Sequence, residues 1–303
     1  MITAAAGATD VALVALVAGF AGAAVSDLRN REVTDRLWQL MGGIGLVTGA
    51  VAVAPGGLVP LALWLLVGAL TLEHLFGWDL WIGPRWERHA DWIELAAYLG
   101  TGIAIATAAA RLGIGPSGVP WAVVALFAVV VLARVLFEFG VLYGGADAKA
   151  LMIAGLLVPV LPVPLLYAPG ATATLGLLPF PIALLTNAAL FSMAVPVFLA
   201  VRNLRRGDFS LPEGMMGYSL PVRDLPHRFV WVKDPAVPAD RRDDAETSAD
   251  DARHRAEVAR DLEARGIVRV WVTPQVPFLA VMALGTGTAI LVGNVLLDLM
   301  LRL

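Results

Sequence analysis

The sequence predicts an all-α polytopic membrane protein of about eight transmembrane helices, with a small α+β cytoplasmic insertion before the last helix. Three observations support this fold class. Of the 303 residues, 58% are apolar and only 16% are charged, a balance far from that of soluble domains. Apolar stretches near the ~20-residue length of a membrane-spanning helix recur along the chain. More than half of the charged residues lie in one segment, residues 202–272.

Eight apolar stretches are the candidate spans, and they cover residues 10–27, 37–54, 58–76, 92–110, 120–139, 148–167, 180–201 and 277–300. Proline or glycine interrupts several of them, so a count of seven or nine also fits the pattern. The first stretch has no basic leader and no clear cleavage site. We therefore expect it to stay in the fold as a helix rather than to be removed as a signal peptide.

The distribution of arginines predicts the orientation. Three connections carry clusters of arginine, which are Arg29, Arg31 and Arg36 after the first span, Arg85 and Arg88 after the third, and Arg202, Arg205 and Arg206 after the seventh. If the spans alternate, these connections share one side, which the positive-inside rule identifies as the cytoplasm. The N-terminus then lies outside the membrane.

Charge and composition divide the chain into three predicted parts. Residues 1–201 form a transmembrane bundle, residues 202–272 a cytoplasmic polar domain, and residues 273–303 the last transmembrane helix. Within the polar domain, residues 229–232 and 268–272 have the composition of strands. Residues 250–265 are rich in Ala, Glu and Arg and stop at Gly266, which predicts a helix.

Two aspartates stand at span boundaries. Asp27 lies at the end of the first span, and Asp147 opens the sixth within the run Gly144-Gly145-Ala146-Asp147-Ala148-Lys149. Both the first and the fifth span run inward, so both carboxylates reach the cytoplasmic face. As an N-cap, Asp147 has a structural explanation, whereas a carboxylate at a helix C-terminus opposes the helix dipole. Ionisable residues near membrane depth are candidate functional residues.

Several function classes are excluded or disfavoured. The chain contains no cysteine, which excludes thiol nucleophiles and cysteine-based metal sites. Its net charge of −3 gives no electrostatic support for nucleic-acid binding. We expect no cofactor and no metal, and the zinc-protease motif HExxH is absent from the sequence. The run Gly115-Pro116-Ser117-Gly118 matches the GxSG pattern of rhomboid serine proteases, but it lies in a predicted external turn, which its composition explains.

Two of these segments together resemble a known family. Residues 26–38, with Asp27 four positions before Arg31, and the Gly-Gly-Ala-Asp-Ala-Lys run ending at Lys149 resemble the archaeal preflagellin and prepilin peptidases. These are GxGD-type intramembrane aspartic proteases related to bacterial type IV prepilin peptidases. Residues 215–218 and 271–278 support the resemblance.

The sequence departs from the family pattern at two points. Ala146 stands where the GxGD pattern has glycine, and five candidate spans precede the second aspartate instead of about three. An inserted hairpin within residues 58–110 accounts for the two extra spans. Because an even number of spans is inserted, the parity that places both aspartates on one side is kept.

The resemblance implies an endopeptidase that removes the short basic leader from membrane-embedded archaellin and type IV pilin-like precursors at the cytoplasmic face. By resemblance, Asp27 and Asp147 are its catalytic aspartates, and Gly144, Gly145 and Lys149 belong to the supporting motif. Glu32 and Asp35 are candidate contacts for the basic leader, although an ordinary salt-linked loop with Arg31 and Arg36 also explains them.

Two alternatives come from other function classes. One is a proton-coupled transporter that uses Asp27 and Asp147 as a relay, since acidic residues in helix bundles commonly serve that purpose. The absence of repeat symmetry in the sequence counts against it. The other is a membrane scaffold for pilus assembly, which would depend on the polar domain and not on the aspartates.

Overall fold

A computed structural model of the chain describes residues 2–76, 90–115, 118–142, 145–166, 178–233 and 248–302. The described chain is mostly helical. It divides into two compact units. A helical unit comprises Met1–Val25, Val33–Ala188 and Leu279–Leu303, and a polar unit comprises Ser26–Glu32 and Ala189–Phe278. The short segment that carries Asp27 thus belongs to the polar unit.

Twelve α-helices and three β-strands occur in the described residues. The helices are α1 (Ile2–Asn30), α2 (Asp35–Val53), α3 (Leu58–Phe76), α4 (Ala90–Leu112), α5 (Trp121–Glu138), α6 (Gly145–Leu157), α7 (Phe180–Ser192), α8 (Ala194–Arg206), α9 (Glu213–Met216), α10 (Ser248–Ala264), α11 (Phe278–Leu291) and α12 (Val295–Arg302). The strands are β1 (Tyr218–Pro221), β2 (Val230–Val232) and β3 (Arg269–Pro274). In the described residues, five helices precede Asp147, where the sequence predicted five membrane spans, and four of the five are long and apolar enough to cross a membrane.

Apolar helices long enough to cross a membrane number five in the described residues, or six if the bent pair α11 and α12 counts as one span. The five cover Ala6–Asn30, Asp35–Gly56, Trp92–Leu112, Trp121–Glu138 and Phe180–Arg206. These helices indicate a membrane protein. The predicted count of eight is not confirmed, because the apolar part of α3, Leu58–Glu73, is shorter than the others and two further predicted spans are not single long helices.

The sixth predicted span, residues 148–167, forms a helix only in its first part. Helix α6 has 13 residues, about 20 Å at 1.5 Å per residue, whereas the hydrocarbon core is about 30 Å thick. It ends where Pro159 follows Val158, since a residue before proline avoids the helical region. The extended chain beyond it is bound by backbone hydrogen bonds, from Leu165 N–H to Ile290 O (3.1 Å) and from Leu166 N–H to Leu291 O (2.9 Å).

The last predicted span is broken into two helices. The axes of α11 and α12 differ by 48°, and Gly293 in the break has a left-handed backbone with φ of 94°. Asn187 of α7, which is 1% exposed, donates to Gly293 O (2.8 Å) and accepts from the Val295 N–H (3.1 Å). Asn294 donates to the Thr186 hydroxyl at 2.8 Å. Asparagine side chains thus form hydrogen bonds between α7 and the broken helix pair.

Aromatic and small residues bring the helices of the helical unit together. Phe20 of α1 meets Trp38 of α2 edge to face, with ring centroids 6.3 Å apart. Trp64 of α3 lies so close to α2 that a Cβ on Gly49 would be 1.8 Å from its ring, and its indole N–H donates to Leu46 O at 3.0 Å. Side chains of α6 are almost entirely buried. The helix that begins near Asp147 is therefore in the centre of this unit.

The polar unit contains the predicted α+β insertion. Its sheet has the order β1-β3-β2 with antiparallel neighbours, Tyr218 opposite Val272 and Val230 opposite Pro274. The strands predicted at residues 229–232 and 268–272 and the helix predicted at residues 250–265 are confirmed as β2, β3 and α10. Strand β1 was not predicted, because four residues with a terminal proline give little alternation. Helix α10 packs on the sheet through Val258 and Leu262.

Candidate functional site

Asp27 lies in the last turn of α1, as the sequence predicted. The residue is only 8% exposed, which is unusual for a carboxylate. A negative charge there faces the negative end of the helix dipole. The position therefore requires a compensating cation, and Arg31 supplies one, with Nη1 3.9 Å from the Asp27 Oδ1.

Arg31 follows α1 and has an uncommon backbone conformation. Its φ is 59°, a left-handed value that glycine favours and arginine rarely adopts. Its N–H donates to Asp27 O at 3.1 Å and closes the end of the helix. Burial lowers the pKa of the Arg31 guanidinium below its usual value, and the nearby Asp27 carboxylate offsets only part of this shift.

Asp147 lies in the first turn of α6, two residues after the helix begins at Gly145. The helix starts earlier than an N-cap at Asp147 would require, so the N-cap interpretation is wrong. The carboxylate nevertheless lies at the positive end of the helix dipole, which favours a negative charge. Asp147 is half-buried and belongs to the helical unit.

Lys149 pairs with Asp35 within the helical unit. Its Nζ donates to Asp35 Oδ1 at 2.6 Å, joining the first turn of α6 to the first turn of α2. The sequence interpretation paired Asp35 with Arg31 or Arg36, residues near it in the chain. The observed partner is 114 residues away. A charge-assisted bond of this length restrains the turn that carries Asp147.

A cleft opens beside the same turn of α6. It has a volume of about 160 Å³ and is lined by Arg134, Phe137, Gly145, Ala148, Lys149 and Met152. The lining is mostly apolar, and its two cations already have carboxylate partners, since Arg134 binds Glu94 and Lys149 binds Asp35. The cleft is therefore suited to an apolar group more than to an anion.

Arg134 joins two helices of the helical unit. Its Nε is 3.1 Å from the Glu94 Oε1 on α4, and its Nη2 is 2.9 Å from the Glu138 Oε1 on α5. The pair with Glu138 is local, because the two residues are four positions apart on one helix. Glu94 was missed because it lies 40 residues earlier in the chain and spacing rules detect only neighbours on one helix.

The remaining candidate residues are placed as follows. Glu32 is exposed in the connection after α1, and its carbonyl accepts a hydrogen bond from the Ser26 hydroxyl at 2.6 Å. Gly144 of the supporting motif and Ser117 of the GxSG run lie outside the described residues. Among the described residues on either side of Ser117, Ile114 and Val119 form an isolated β-bridge.

The arrangement provides carboxylates with different electrostatic surroundings. Asp27 faces a guanidinium, whereas Asp147 is at a helix N-terminus two residues before a lysine. Such groups perform acid–base chemistry. Within the described residues, no group of three or more His, Asp or Glu side chains is placed to hold a metal ion.

No family model matches the chain. No curated protein matches it significantly.

Proposed function

We propose that the chain is an intramembrane aspartic endopeptidase that cuts the basic leader from archaellin or type IV pilin-like precursors. The observation that carries the proposal is the burial of the Asp27 carboxylate at the end of a membrane helix, where neither packing nor the helix dipole favours it. The resemblance of residues 26–38 and 144–149 to the prepilin peptidases supports the assignment of Asp147 as the second carboxylate.

In the proposed mechanism, one aspartate is ionised and the other is protonated. The ionised carboxylate takes a proton from a water molecule as the water oxygen attacks the scissile carbonyl carbon. The protonated aspartate donates its hydrogen to the carbonyl oxygen. Collapse of the tetrahedral intermediate breaks the C–N bond. The leaving nitrogen takes the proton that the first aspartate removed from the water, and the second aspartate regains its proton from a hydroxyl of the intermediate. The products are a leader carboxylate and a new amino terminus.

The orientation inferred from the arginine clusters agrees with this substrate. A short basic leader stays on the cytoplasmic side of the membrane, where the sequence pattern places both aspartates. The apolar cleft beside Asp147 is lined by Phe137, Ala148 and Met152, and it offers a place for an apolar side chain of the precursor.

Processing of a co-expressed precursor tests the proposal. We expect Asp27→Asn and Asp147→Asn each to reduce cleavage at least ~10³-fold, because neither amide can take up or release the proton. Asp10→Asn is the matched control, since Asp10 is an exposed residue of the same helix α1, and it should cleave normally. Ser117→Ala should also be active. Normal cleavage by either Asn variant at positions 27 or 147, with both proteins inserted, would refute the aspartyl mechanism.

Proton-coupled transport is the second candidate, and one observation favours it. The Glu94 side chain is 14% exposed and forms an ion pair with Arg134 between α4 and α5, an arrangement typical of ion pathways. Proteoliposomes in a proton gradient distinguish the two functions. The peptidase proposal predicts no proton flux that depends on Asp27 and Asp147, whereas the transporter predicts flux without cleavage.

A further inference from the structure

The guanidinium of Arg31 is held by the polar unit. Its charge centre lies 5.1 Å from the centroid of the Phe229 ring, within the range of a cation–π contact. Its Nε and Nη1 atoms are buried and have no hydrogen-bond partner among the described residues. The contact with Asp27 Oδ1 at 3.9 Å is too long for a hydrogen bond. The ring is therefore a principal contact that fixes the Arg31 head group.

Phe229 is itself fixed by the sheet and by α10. It immediately precedes β2, and its carbonyl accepts a hydrogen bond from the Gln275 N–H at 3.0 Å just after β3. Arg255 of α10, which is 6% exposed, places a second guanidinium 5.6 Å from the same ring. Two cations share one ring, which is thereby held between the end of α1 and α10.

The backbone of Arg31 supports the same conclusion. A non-glycine residue keeps a left-handed φ only when its surroundings fix it. Here the conformation turns the chain directly after α1 and places the guanidinium between Asp27 and Phe229. All of these contacts lie within the polar unit, which includes Ser26–Glu32.

We propose that Phe229 and Arg31 are positioning residues for the Asp27 carboxylate, so that the polar unit orients a catalytic group. The inference rests on the proposed peptidase function. The ring fixes the guanidinium, and the guanidinium fixes the carboxylate at the end of α1. The polar unit is thus needed for the chemical step and not only for recognition of the precursor.

Kinetics of three variants test the positioning role. Phe229→Leu removes the ring and keeps an apolar side chain, and we expect kcat to fall about five- to tenfold with KM unchanged, the scale of one cation–π contact. Phe229→Trp keeps an aromatic face and should restore kcat. Trp231→Leu is the matched control, because Trp231 lies two residues away on β2 and is 48% exposed, and it should not change kcat. A loss confined to KM, or an equal loss in the tryptophan variant, would overturn the proposal.

A second measurement does not require peptidase activity. The melting midpoints of Asp27→Asn, Phe229→Leu and the double variant form a cycle, and we expect the two shifts not to add because both act through Arg31. In an Arg31→Gln background the shifts should add. If the two shifts in melting midpoint add in the protein that keeps Arg31, the positioning role is overturned, even if the protein is an active peptidase. If the native protein cleaves no precursor, the function is refuted while the cycle still decides whether Phe229 and Asp27 are coupled.

Discussion

Individual side chains show how charges at the helix ends are compensated. Asp27 lies in the last turn of α1 and Asp35 is the first residue of α2, yet each has a different partner, Arg31 in the polar unit and Lys149 in the helical unit. Lys149 is one of two lysines in a chain that otherwise uses arginine. A flexible ammonium suits a single short bond to one carboxylate oxygen.

The ion pair between Lys149 and Asp35 predicts how replacing Asp35 affects stability and cleavage. If this carboxylate restrains α6, Asp35→Asn and Lys149→Met should each cost about 0.5–1 kcal/mol of stability, because the pair is partly exposed. They should lower kcat similarly, and the double variant should resemble either single one. The measurement is cleavage kinetics of all three proteins. An increase in KM for Asp35→Asn alone would instead identify Asp35 as a contact for the basic leader.

At the scale of the helix, α2 and α3 pack closely because Gly49 of α2 leaves room for the Trp64 side chain of α3. Only a hydrogen atom fits at Gly49 beside the Trp64 ring, and the indole N–H is held by Leu46 O. The ring thus has little freedom to move away. Close approach at small residues is a common source of stability in membrane helix pairs.

The two glycines at positions 43 and 49 of α2 provide a matched pair of substitutions. Gly49→Ala should lower the stability by about 1–3 kcal/mol through overpacking against Trp64. At Gly43, a Cβ meets no atom within 4 Å, so Gly43→Ala should leave stability unchanged or raise it by up to about 1 kcal/mol. Thermal unfolding in detergent measures both. Equal destabilisation of the two variants would contradict the proposed packing.

Several elements were predicted correctly from local pattern. The long helices, β2, β3 and α10 follow from runs of one composition and from stop signals such as Gly266. The premature end of α6 was missed, because hydropathy counts apolar side chains and not the backbone geometry imposed by Pro159. The break between α11 and α12 was missed for a related reason. The backbone groups at the break are hydrogen-bonded by Asn187, which lies about a hundred residues earlier in the chain.

The candidate site was predictable only in part. Asp27 and Asp147 stood out because an ionisable residue near membrane depth is a candidate functional residue. The ion pairs around them were not predicted, because Lys149 and Asp35 are 114 residues apart and Arg134 and Glu94 are 40 residues apart. A rule based on spacing along one helix cannot detect pairs that are so far apart in the chain. The contact between Arg31 and Phe229 was missed for the same reason, since it joins the first connection to the start of a strand in the polar unit.

At the scale of the whole molecule, the arginine clusters predict the side of the membrane that each connection faces. The chain has no cysteine, so single cysteines report accessibility without background. We expect Ala54→Cys, between α2 and α3, to react with an impermeant thiol reagent in intact cells. Thr34→Cys and Ser210→Cys should react only after permeabilisation. Labelling of all three from outside would contradict the proposed orientation and the cytoplasmic placement of the polar unit.

The chain after α6 also affects when the fold can be completed during synthesis. The N–H groups of Leu165 and Leu166 bond to carbonyls at the end of α11, which the ribosome makes more than a hundred residues later. Until then, these amides need water or a surrogate acceptor, since lipid offers none. The two hydrogen bonds of Leu165 and Leu166 therefore cannot form while the polar unit is being synthesised. We expect residues 158–166 to remain in the hydrated environment of the insertion machinery until α11 has been made. The helical unit, whose synthesis begins first, is then completed only after the polar unit has been synthesised.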